Sequence, residues 1–481
     1  MPHSNELTQN PVDLLFNPRS VAVIGASTNP VKGGHRILKN LIEHGFNENL
    51  FPINPKGGSA YGIPFYKSVL DVEEDIDVGI VFVPNKVIPD VIEQCIEKGI
   101  KGLIIQAAGF EEVGKQGLEL RDKIREITDN FQKIRIVGPN CTGLTRVDDD
   151  GKGFYSAFIV QQPAKKGNIA VISQSGMING GYFIHLCTHY PEMGFRYVAS
   201  IGNKMDLNEI DFMEYFLQDQ TVNVIAIYLE SFQEPREFIR IAREAAKLTD
   251  KKIILLRGGL TSQGQNASTS HTGALAENIV LSKALISQSK VIQVDDFYGL
   301  FQAARIQSMV HKSGTLLPVK GDIAFVTVSG GAGTVSTDLI QNYGLTLPAL
   351  GQQCYSKLQE IFPTWMPPNK FSLIDLWPAI ENAKVDSDGI HRIALDALLQ
   401  DDGIEGLLIS IFYTADFPFS LKIIEDFRRK YNKPIFCWVF GEKNKVDEVK
   451  ARLTKKNIPC FRSLESMVKN FSLIVKQSSK L

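Results

Sequence analysis

The sequence lacks the features that mark several large classes of protein. Lys and Arg number 52 against 53 Asp and Glu, a formal net charge of −1, so the strong basic bias of nucleic-acid and membrane-surface binders is missing. The six cysteines form no Cys-x-x-Cys pair, which argues against a zinc or iron–sulfur site. There is no run of about 18 apolar residues and no signal-type apolar stretch at the start. We therefore expect a cytoplasmic protein without a metal site and without nucleic-acid or membrane partners.

Short apolar runs alternate with longer helical patterns along the whole chain. This alternation predicts an α/β fold with parallel sheets, and 481 residues suit about three domains of roughly 150 residues each. The predicted domains cover residues 1–147, 152–313 and 318–481, and the acidic, glycine-bearing residues 147–153 are expected to form a linker or loop. The second and third domains open alike, with a strand, a turn rich in serine and glycine, and a helix.

The first predicted domain carries two candidate anion-binding loops. Gly25 and Ser27 follow the first strand and precede a helical stretch, where glycine lets the backbone approach a phosphate and helix amides favour an anion. Lys56 follows the second strand, where a lysine can reach a phosphate or simply remain solvated. The Gly-x-Gly-x-x-Gly fingerprint of dinucleotide binders is missing, so we expect a phosphate-bearing ligand other than NAD. A bare strand-to-helix turn is the alternative.

A later strand of the same domain ends in Gly138-Pro139-Asn140-Cys141. Two interpretations of Cys141 stay open at this point. Its side chain contacts the thiol or thioester of a ligand, or it is a small buried thiol with no chemical role.

Two turns in the later domains are candidate phosphate cradles. Each joins a strand to a helix, and hydroxyl groups and backbone amides at a helix start attract anions. A tight turn without a ligand is the alternative for both, and a serine nucleophile is disfavoured because the Gly-x-Ser-x-Gly motif is absent. The candidate residues are Ser173, Ser175 and Gly176 in the second domain, and Gly330, Gly331 and Gly333 in the third.

His271 lies in the run Ser270-His271-Thr272-Gly273, among small and hydroxyl residues that leave room for a phosphoryl group. A neutral imidazole is a good nucleophile near pH 7, because its ordinary pKa is about 6.5. Glu230 ends a predicted strand, and a carboxylate there could orient the imidazole. A structural histidine and a surface glutamate are the alternatives. The pair His185 and His189, spaced as metal ligands on a helix can be, is interpreted as ordinary helix surface.

Taken in this order, the motifs resemble those of the NDP-forming acyl-CoA synthetases, relatives of succinyl-CoA synthetase. The resemblance covers nearly the whole chain and is closest to the α subunit of the ADP-forming acetate–CoA ligases. Its most specific part is the run around His271, which looks like the family's phosphohistidine motif. The other matching runs are residues 23–27, 53–56, 138–141, 173–176 and 200–206. The implied fold is α/β, with a Rossmann-like CoA-binding domain followed by two flavodoxin-like parallel-sheet domains.

The resemblance also implies a role for each candidate residue. His271 would be phosphorylated, with Glu230 supporting it. Coenzyme A, a substrate, would contact Gly25, Ser27 and Lys56, and the closing motif of its domain would contribute Asn140 and Cys141. The phosphate would be held by Ser173, Ser175 and Gly176, with a second helix dipole from the turn that contains Gly330, Gly331 and Gly333.

The implied reaction is carboxylic acid + CoA + ATP ⇌ acyl-CoA + ADP + phosphate, through acyl phosphate and phosphohistidine. In this family a separate ATP-grasp domain binds the nucleotide, and the sequence stops at Leu481 without room for one. The resemblance therefore implies a β-type ATP-grasp partner that holds ATP or ADP with Mg, in an α2β2 assembly. Glycines at 258, 259 and 264 precede His271, so a mobile loop is expected to carry its phosphoryl group to the partner.

Three departures from the family pattern concern the acid that is bound. Met177 follows the cradle glycine, where small residues are usual. Ala276-Glu277-Asn278 stands where Ala-Gly is common, and Ser372-Leu373-Ile374-Asp375 replaces the usual Asn-Pro-x-Asp. Two rival functions also remain. One is a CoA-binding regulatory or scaffold protein without phosphoryl transfer, and the other is a nicotinamide dehydrogenase, against which the missing glycine fingerprint counts.

Overall fold

The computed structural model of the protein describes residues 10–46, 49–272, 278–382, 386–416 and 419–475, with residues 269–272 described by their backbone alone. Contacts group the chain into two compact units, Met1–Ala304 and Arg305–Leu481. The division falls inside a helix, Phe297–Ser313.

The first sheet of unit 1 has five parallel strands in the order β2-β1-β5-β6-β7. Every residue of β1, β2, β5 and β6 is buried, as expected for apolar runs in a sheet that helices cover on both faces. The strands, with an intervening short hairpin of β3 and β4, are β1 (Val21–Ile24), β2 (Leu50–Ile53), β3 (Ser59–Ala60), β4 (Ile63–Pro64), β5 (Val78–Val81), β6 (Gly102–Ile105) and β7 (Arg135–Val137).

Four helices accompany this sheet. The second of them buries Ile37, Leu38 and Leu41 on one face, which is the spacing of an amphipathic helix packed on a sheet. The helices are α1 (Pro11–Phe16), α2 (Gly33–Glu43), α3 (Ile88–Lys98) and α4 (Lys115–Ile127).

The second sheet of unit 1 has seven strands in the order β14-β13-β12-β10-β11-β8-β9. Its five central strands are parallel, and β8 and β9 are added antiparallel at one edge. The strands are β8 (Leu144–Val147), β9 (Gly153–Tyr155), β10 (Lys165–Ser173), β11 (Gly194–Ser200), β12 (Val224–Leu229), β13 (Lys252–Arg257) and β14 (Ile292–Val294).

The segment predicted as a linker or loop, residues 147–153, contains the turn of the β8–β9 hairpin. Asp148 accepts hydrogen bonds from Arg146 Nη2 and Arg196 Nη1, both at 2.7 Å. Burial raises the pKa of Asp148, but the two arginines outweigh it and lower the pKa overall. Asp148 is therefore tied to strand β11, whereas Asp149 and Asp150 are exposed, and of the two alternatives the structure shows the loop.

The two sheets of unit 1 share one continuous core. Phe16 of α1 lies with its ring centroid 4.7 Å from that of Tyr197 in β11 and 5.9 Å from that of Phe216. Buried residues of both sheets belong to the same apolar cluster. This packing accounts for the grouping of the first two predicted domains in one unit, and the boundaries at residues 147 and 152 remain predictions.

Among the described residues, six α-helices accompany the second sheet. Residues 262–272, expected within a loop, are helical, and Thr261 Oγ1 accepts a hydrogen bond from Gly264 N at 3.0 Å at the helix start. A hydroxyl that satisfies a free helix amide favours this conformation. The helices are α5 (Phe183–His189), α6 (Glu209–Gln218), α7 (Pro235–Leu248), α8 (Ser262–Thr272), α9 (Ile279–Ser289) and α10 (Phe297–Ser313).

Unit 2 contains a single parallel sheet in the order β16-β15-β17-β18-β19. Its strands are β15 (Ile323–Thr327), β16 (Leu373–Asp375), β17 (Gly406–Tyr413), β18 (Ile435–Gly441) and β19 (Cys460–Phe461). Its further helices are α11 (Gly330–Asn342), α12 (Gln352–Gln359), α13 (Trp377–Glu381), α14 (Ser387–Gln400), α15 (Leu421–Tyr431), α16 (Lys443–Lys455) and α17 (Leu464–Ser472).

The parallel strands of all three sheets follow the same order. Counted along the chain within each sheet, that order is 2-1-3-4-5, as in flavodoxin-like folds. The predicted α/β fold with parallel sheets is thereby confirmed. In such sheets ligands bind beyond the carboxyl ends of strands 1 and 3, which here are β1 and β5, β10 and β12, and β15 and β17. No helix in the described part of the chain has the length and apolar character needed to cross a bilayer.

Candidate functional site

A cavity of about 770 Å³ opens where the carboxyl ends of the two sheets of unit 1 meet. One part of its wall is formed by residues that come after β5, β6 and β7 in the chain, and the other part by residues that come after β10 and β11. Its lining residues are Phe82, Val83, Pro84, Asn85, Gln106, Ala107, Ala108, Asn140, Cys141, Thr142, Phe158, Gln174, Ser175, Gly176, Met177, Gly202 and Asn203. The cavity thus brings together candidate residues from both of the first two predicted domains.

The segment after β7 forms one side of this cavity. Asn140 N donates a hydrogen bond to Ala107 O at 2.8 Å, and the Asn140 side chain donates to Asn203 Oδ1 at 3.3 Å. Cys141 is buried, its thiol donates to Ile105 O at 3.3 Å, and burial raises its pKa to about 12. The thiol is therefore protonated near pH 7, which favours the structural interpretation of Cys141.

The turn after β10 forms the facing side. Ser173 Oγ donates to Ser175 O at 2.7 Å, and Met177 N donates to Ser175 Oγ at 3.3 Å. The predicted helix start near Gly176 is close to the observed one, a single π-type turn over Ile178–Tyr182 that leads into α5. The turn holds Ser175 and Gly176 at the beginning of a helical segment, where amides favour an anion.

Thr142 and Gly176 join the two sides. Thr142 Oγ1 donates to Gly176 O at 2.9 Å. A Cβ at position 176 would lie 2.7 Å from Thr142 Cγ2, closer than side-chain atoms pack. Glycine is therefore the residue that lets the cradle approach the first sheet.

Glu230 follows β12 and is fixed beside the cradle through Gln174. Gln174 Oε1 accepts hydrogen bonds from Glu230 N at 2.8 Å and from Ser231 N at 3.2 Å. The Glu230 carboxylate accepts from Tyr228 Oη at 3.0 Å. Burial and the charge of Glu230 raise the pKa of Tyr228, so the tyrosine keeps the proton that it donates.

A buried ion pair supports the loop after Glu230. Lys204 Nζ donates to Glu209 Oε2 at 3.0 Å and to Ser231 O at 2.8 Å, and Glu209 Oε1 accepts from Gln233 N at 2.7 Å. Both charged side chains are almost fully buried. Sequence reasoning missed this pair, because nothing in the spacing of Lys204 and Glu209 marks them as buried partners.

Gln106 is another residue that sequence reasoning missed. It directly follows β6 and is buried in the cavity wall, and its Nε2 donates to Ser156 O at 2.6 Å. Its Oε1 has no hydrogen-bond partner among the described residues. A polar residue just after a buried parallel strand is the signal that could have identified it.

Gly25 packs against Phe82 of the cavity wall, and the loop with Gly25 and Ser27 is tied to the loop with Lys56. Gly25 has φ +98°, and a Cβ there would lie 2.2 Å from Phe82 O. Asn54 Nδ2 donates to Ala26 O at 2.7 Å and ties the loop after β1 to the loop after β2. Ser27 Oγ accepts from Asn29 N at 3.1 Å, and the Lys56 side chain is exposed.

The remaining candidate residues do not line the cavity, or their side chains lie outside the described residues. The backbone of His271 falls within α8, but its side chain lies outside the described residues. Gly330, Gly331 and Gly333 begin α11 in unit 2, where Ser329 Oγ accepts from Ala332 N at 3.3 Å. His185 and His189 are exposed on α5 with their rings stacked at 4.0 Å. Among the residues that the structure covers, no group of three or more His, Cys, Asp or Glu could hold a metal ion.

Two domain families match the sequence. A CoA binding domain matches residues 19–146, which include the first sheet and the segment with Asn140 and Cys141. A succinyl-CoA ligase like flavodoxin domain matches residues 166–307, which include the cradle and Glu230. The cavity therefore lies between the parts of the chain that these two families describe.

Curated relatives align with nearly the whole chain. The α subunit of acetate–CoA ligase [ADP-forming] II from Pyrococcus furiosus is 31% identical, over 98% of this chain and 98% of its own length. Acetate–CoA ligase [ADP-forming] II from Archaeoglobus fulgidus is also 31% identical, over 97% of this chain and 67% of its own length. This chain thus spans about two thirds of the second relative.

A solved structure has the same architecture along its full length. It is acetyl-coenzyme A synthetase 1 of Candidatus Korarchaeum cryptofilum, in complex with phosphate and ADP, and it superimposes with a TM-score of 0.82 at 27% identity. The match covers 97% of this chain and 96% of that one. Because a relative with 31% identity aligns with almost every residue, this chain belongs to the NDP-forming acyl-CoA synthetases, as an α-type acid–thiol ligase chain of the ADP-forming branch.

Proposed function

We propose that this chain performs the acyl-transfer half of an ADP-forming acyl-CoA synthetase, which interconverts carboxylic acid + CoA + ATP and acyl-CoA + ADP + phosphate. The cavity is the observation that carries the proposal, because it joins the CoA-domain segment at Asn140 and Cys141 to the cradle at Ser175 and Gly176. A thioester and a phosphate must approach to about 3–3.5 Å before they react. A CoA-binding scaffold protein would need only the first of these two walls.

The pantetheine arm of CoA is the group that we place along the first wall. Gln106 Oε1 is an acceptor without a described partner in that wall, and an unpaired buried acceptor costs about 1–3 kcal/mol. The amide N–H groups of the pantetheine arm are donors of the kind that it needs. We place the phosphates of the same CoA molecule at the loops with Gly25, Ser27 and Lys56.

The cradle is where we place inorganic phosphate for the first chemical step. A phosphate oxygen attacks the thioester carbonyl carbon, a C–O bond forms, the C–S bond breaks, and the CoA thiolate takes up a proton. The products are acyl phosphate and CoA. The task of Ser173, Ser175 and Gly176 is to position and neutralise the phosphate, since catalysis of phosphoryl chemistry rests mainly on positioning and electrostatics.

The second step transfers the phosphoryl group to His271. An imidazole nitrogen forms the N–P bond, the acyl phosphate P–O bond breaks, and the carboxylic acid leaves as its carboxylate. Glu230 would orient the imidazole, as a third group does in hydrolase triads. Gln174 fixes the backbone of Glu230 beside the cradle, which supports this assignment.

ADP would then accept the phosphoryl group on a partner chain. The P. furiosus relative is named as an α subunit, which supports a separate β-type partner. We propose that the partner is an ATP-grasp chain that holds ADP with Mg, in an α2β2 assembly.

The test uses the chain co-expressed with a β-type ATP-grasp partner and supplied with an acid, CoA and ATP. The expected products are acyl-CoA, ADP and phosphate, and His271→Ala should lower turnover at least 1000-fold, by about the factor that loss of a nucleophile costs. His189→Ala, which changes an exposed histidine on the far end of α5, is the matched control and should retain full turnover. Normal turnover by His271→Ala would overturn the proposal.

A further inference from the structure

We infer that Met177 and the ring pair of Phe82 and Phe158 select the acid by the size and shape of its acyl chain. This inference rests on the proposed function. It assigns the part of the cavity between the cradle and the two rings to the acyl chain.

The chemistry of the first step determines where the acyl chain must lie. The thioester carbonyl carbon has to reach a phosphate oxygen held at Ser175 and Gly176, at about 3–3.5 Å. Met177 directly follows Gly176, its N–H donates to Ser175 Oγ at 3.3 Å, and its side chain lines the cavity while 46% exposed. We therefore place the group attached to that carbonyl carbon against the Met177 side chain.

The two phenylalanines line the same cavity as apolar groups. Their ring centroids lie 5.3 Å apart with planes tilted by 36°, within the range of a favourable aromatic pair. The Phe82 ring also packs closely against α2, because a Cβ at Gly33 would lie 2.4 Å from it. Phe82 is therefore held in place, whereas the unbranched thioether of Met177 can adapt its shape.

The inference is tested by changing the size of residue 177 in the chain assembled with its partner. We would measure kcat/KM for acetate, isovalerate and phenylacetate with wild type, Met177→Ala and Met177→Trp. Met177→Ala should raise the ratio of phenylacetate to acetate at least about 10-fold, because one methylene changes selectivity by about 10- to 200-fold. Met177→Trp should lower that ratio by a similar factor.

Met366→Ala is the matched control, because Met366 is also 46% exposed and is not among the described residues that line the cavity. It should leave the ratio of phenylacetate to acetate unchanged. If the wild-type assembly activates acids but Met177→Ala and Met177→Trp keep its ratio, the inference is wrong. If the wild-type assembly forms no acyl-CoA from any acid, the proposed function itself fails.

Discussion

Cys141 and Gly176 both line the cavity. The contacts available at each position explain which residue type stands there. The thiol of Cys141 donates to a backbone carbonyl, so it fills a buried space. Gly176 has no side chain, and a Cβ there would meet Thr142. We therefore expect the chemistry at this wall to come from backbone groups and hydroxyls and not from a thiol nucleophile.

Cys141 should be chemically inert in the folded protein. Its pKa is raised to about 12 by burial, so the reactive thiolate is scarce near pH 7. We expect that iodoacetamide at pH 7.5 leaves Cys141 unmodified in the native chain and that Cys141→Ala retains turnover within about threefold, since CoA and not this thiol carries the acyl group. Mass spectrometry of digested protein measures the labelling, with urea-unfolded protein as the control in which Cys141 must react. Rapid labelling of the native chain, or loss of turnover in Cys141→Ala, would show that the thiol takes part.

The connecting elements at the carboxyl ends of β10, β11 and β12 support one another. Gln174, from the turn after β10, accepts from the backbone after β12. Lys204, from the turn after β11, donates to Ser231 O in the same loop. Lys204 has φ +57°, an unusual backbone conformation for a residue with a side chain. The ion pair with Glu209 therefore holds both the turn that carries Asn203 and the loop that carries Glu230.

Breaking this buried pair from one side should be costly. Lys204→Met leaves the Glu209 carboxylate buried without its cation, which typically costs about 3–5 kcal/mol of unfolding free energy. The double variant Lys204→Met/Glu209→Gln removes both charges and keeps an acceptor for Gln233 N, so it should be at least about 1 kcal/mol more stable than the single variant. Urea unfolding followed by circular dichroism measures both values.

The exposed pair Lys115–Glu119, at 3.8 Å, provides the control for this prediction. Lys115→Met should change the unfolding free energy by less than about 0.5 kcal/mol, as is usual for surface ion pairs. Equal losses for Lys204→Met and the double variant would mean that the buried charge of Glu209 is not the source of the cost.

For the whole molecule, most of the fold could be predicted from the sequence, whereas only some of the tertiary contacts at the site could. Apolar runs such as β1 and β5 predicted parallel strands, and strand ends pointed to Gly25, Ser173 and Glu230 because ligands bind at the carboxyl edge of such sheets. Residues 147–153 were expected to form a linker or loop, and the bond from Asp148 to Arg196 was not predictable because Arg196 is distant in sequence. Gln106 and the pair Lys204–Glu209 were missed for the same physical reason: a side chain's burial and partner depend on the assembled fold.

Two buried histidines, one in each unit, should make the folded state less stable in mild acid. Burial lowers the pKa of His44 and of His391 in the folded chain. In the unfolded chain the same histidines have their ordinary pKa of about 6.5. As the pH falls, the histidines of the unfolded chain therefore take up protons while those of the folded chain are still neutral. The unfolded state then binds more protons, and stability falls as the pH drops below about 6.5. The loss is at most about 1.4 kcal/mol per histidine for each pH unit. Carboxylates with lowered pKa, such as Glu112 and Asp148, act at lower pH.

The measurement is the urea midpoint at pH 7.5 and pH 5.5 for wild type and for His44→Gln/His391→Gln. The wild type should lose more stability between these two pH values than the double variant, in which neither side chain can be protonated. An equal loss in both proteins would show that other groups cause the pH dependence.

The most direct test of the central claim is to locate the phosphoryl group on this chain. The full chain is incubated with radioactive inorganic phosphate and a panel of acyl-CoA esters, and the protein is then digested and its phosphopeptides are sequenced. The account predicts release of CoA together with an acid-labile, alkali-stable label on His271 alone, and no label when acyl-CoA is omitted. Release of CoA without any label, or a label on a residue other than His271, would contradict it.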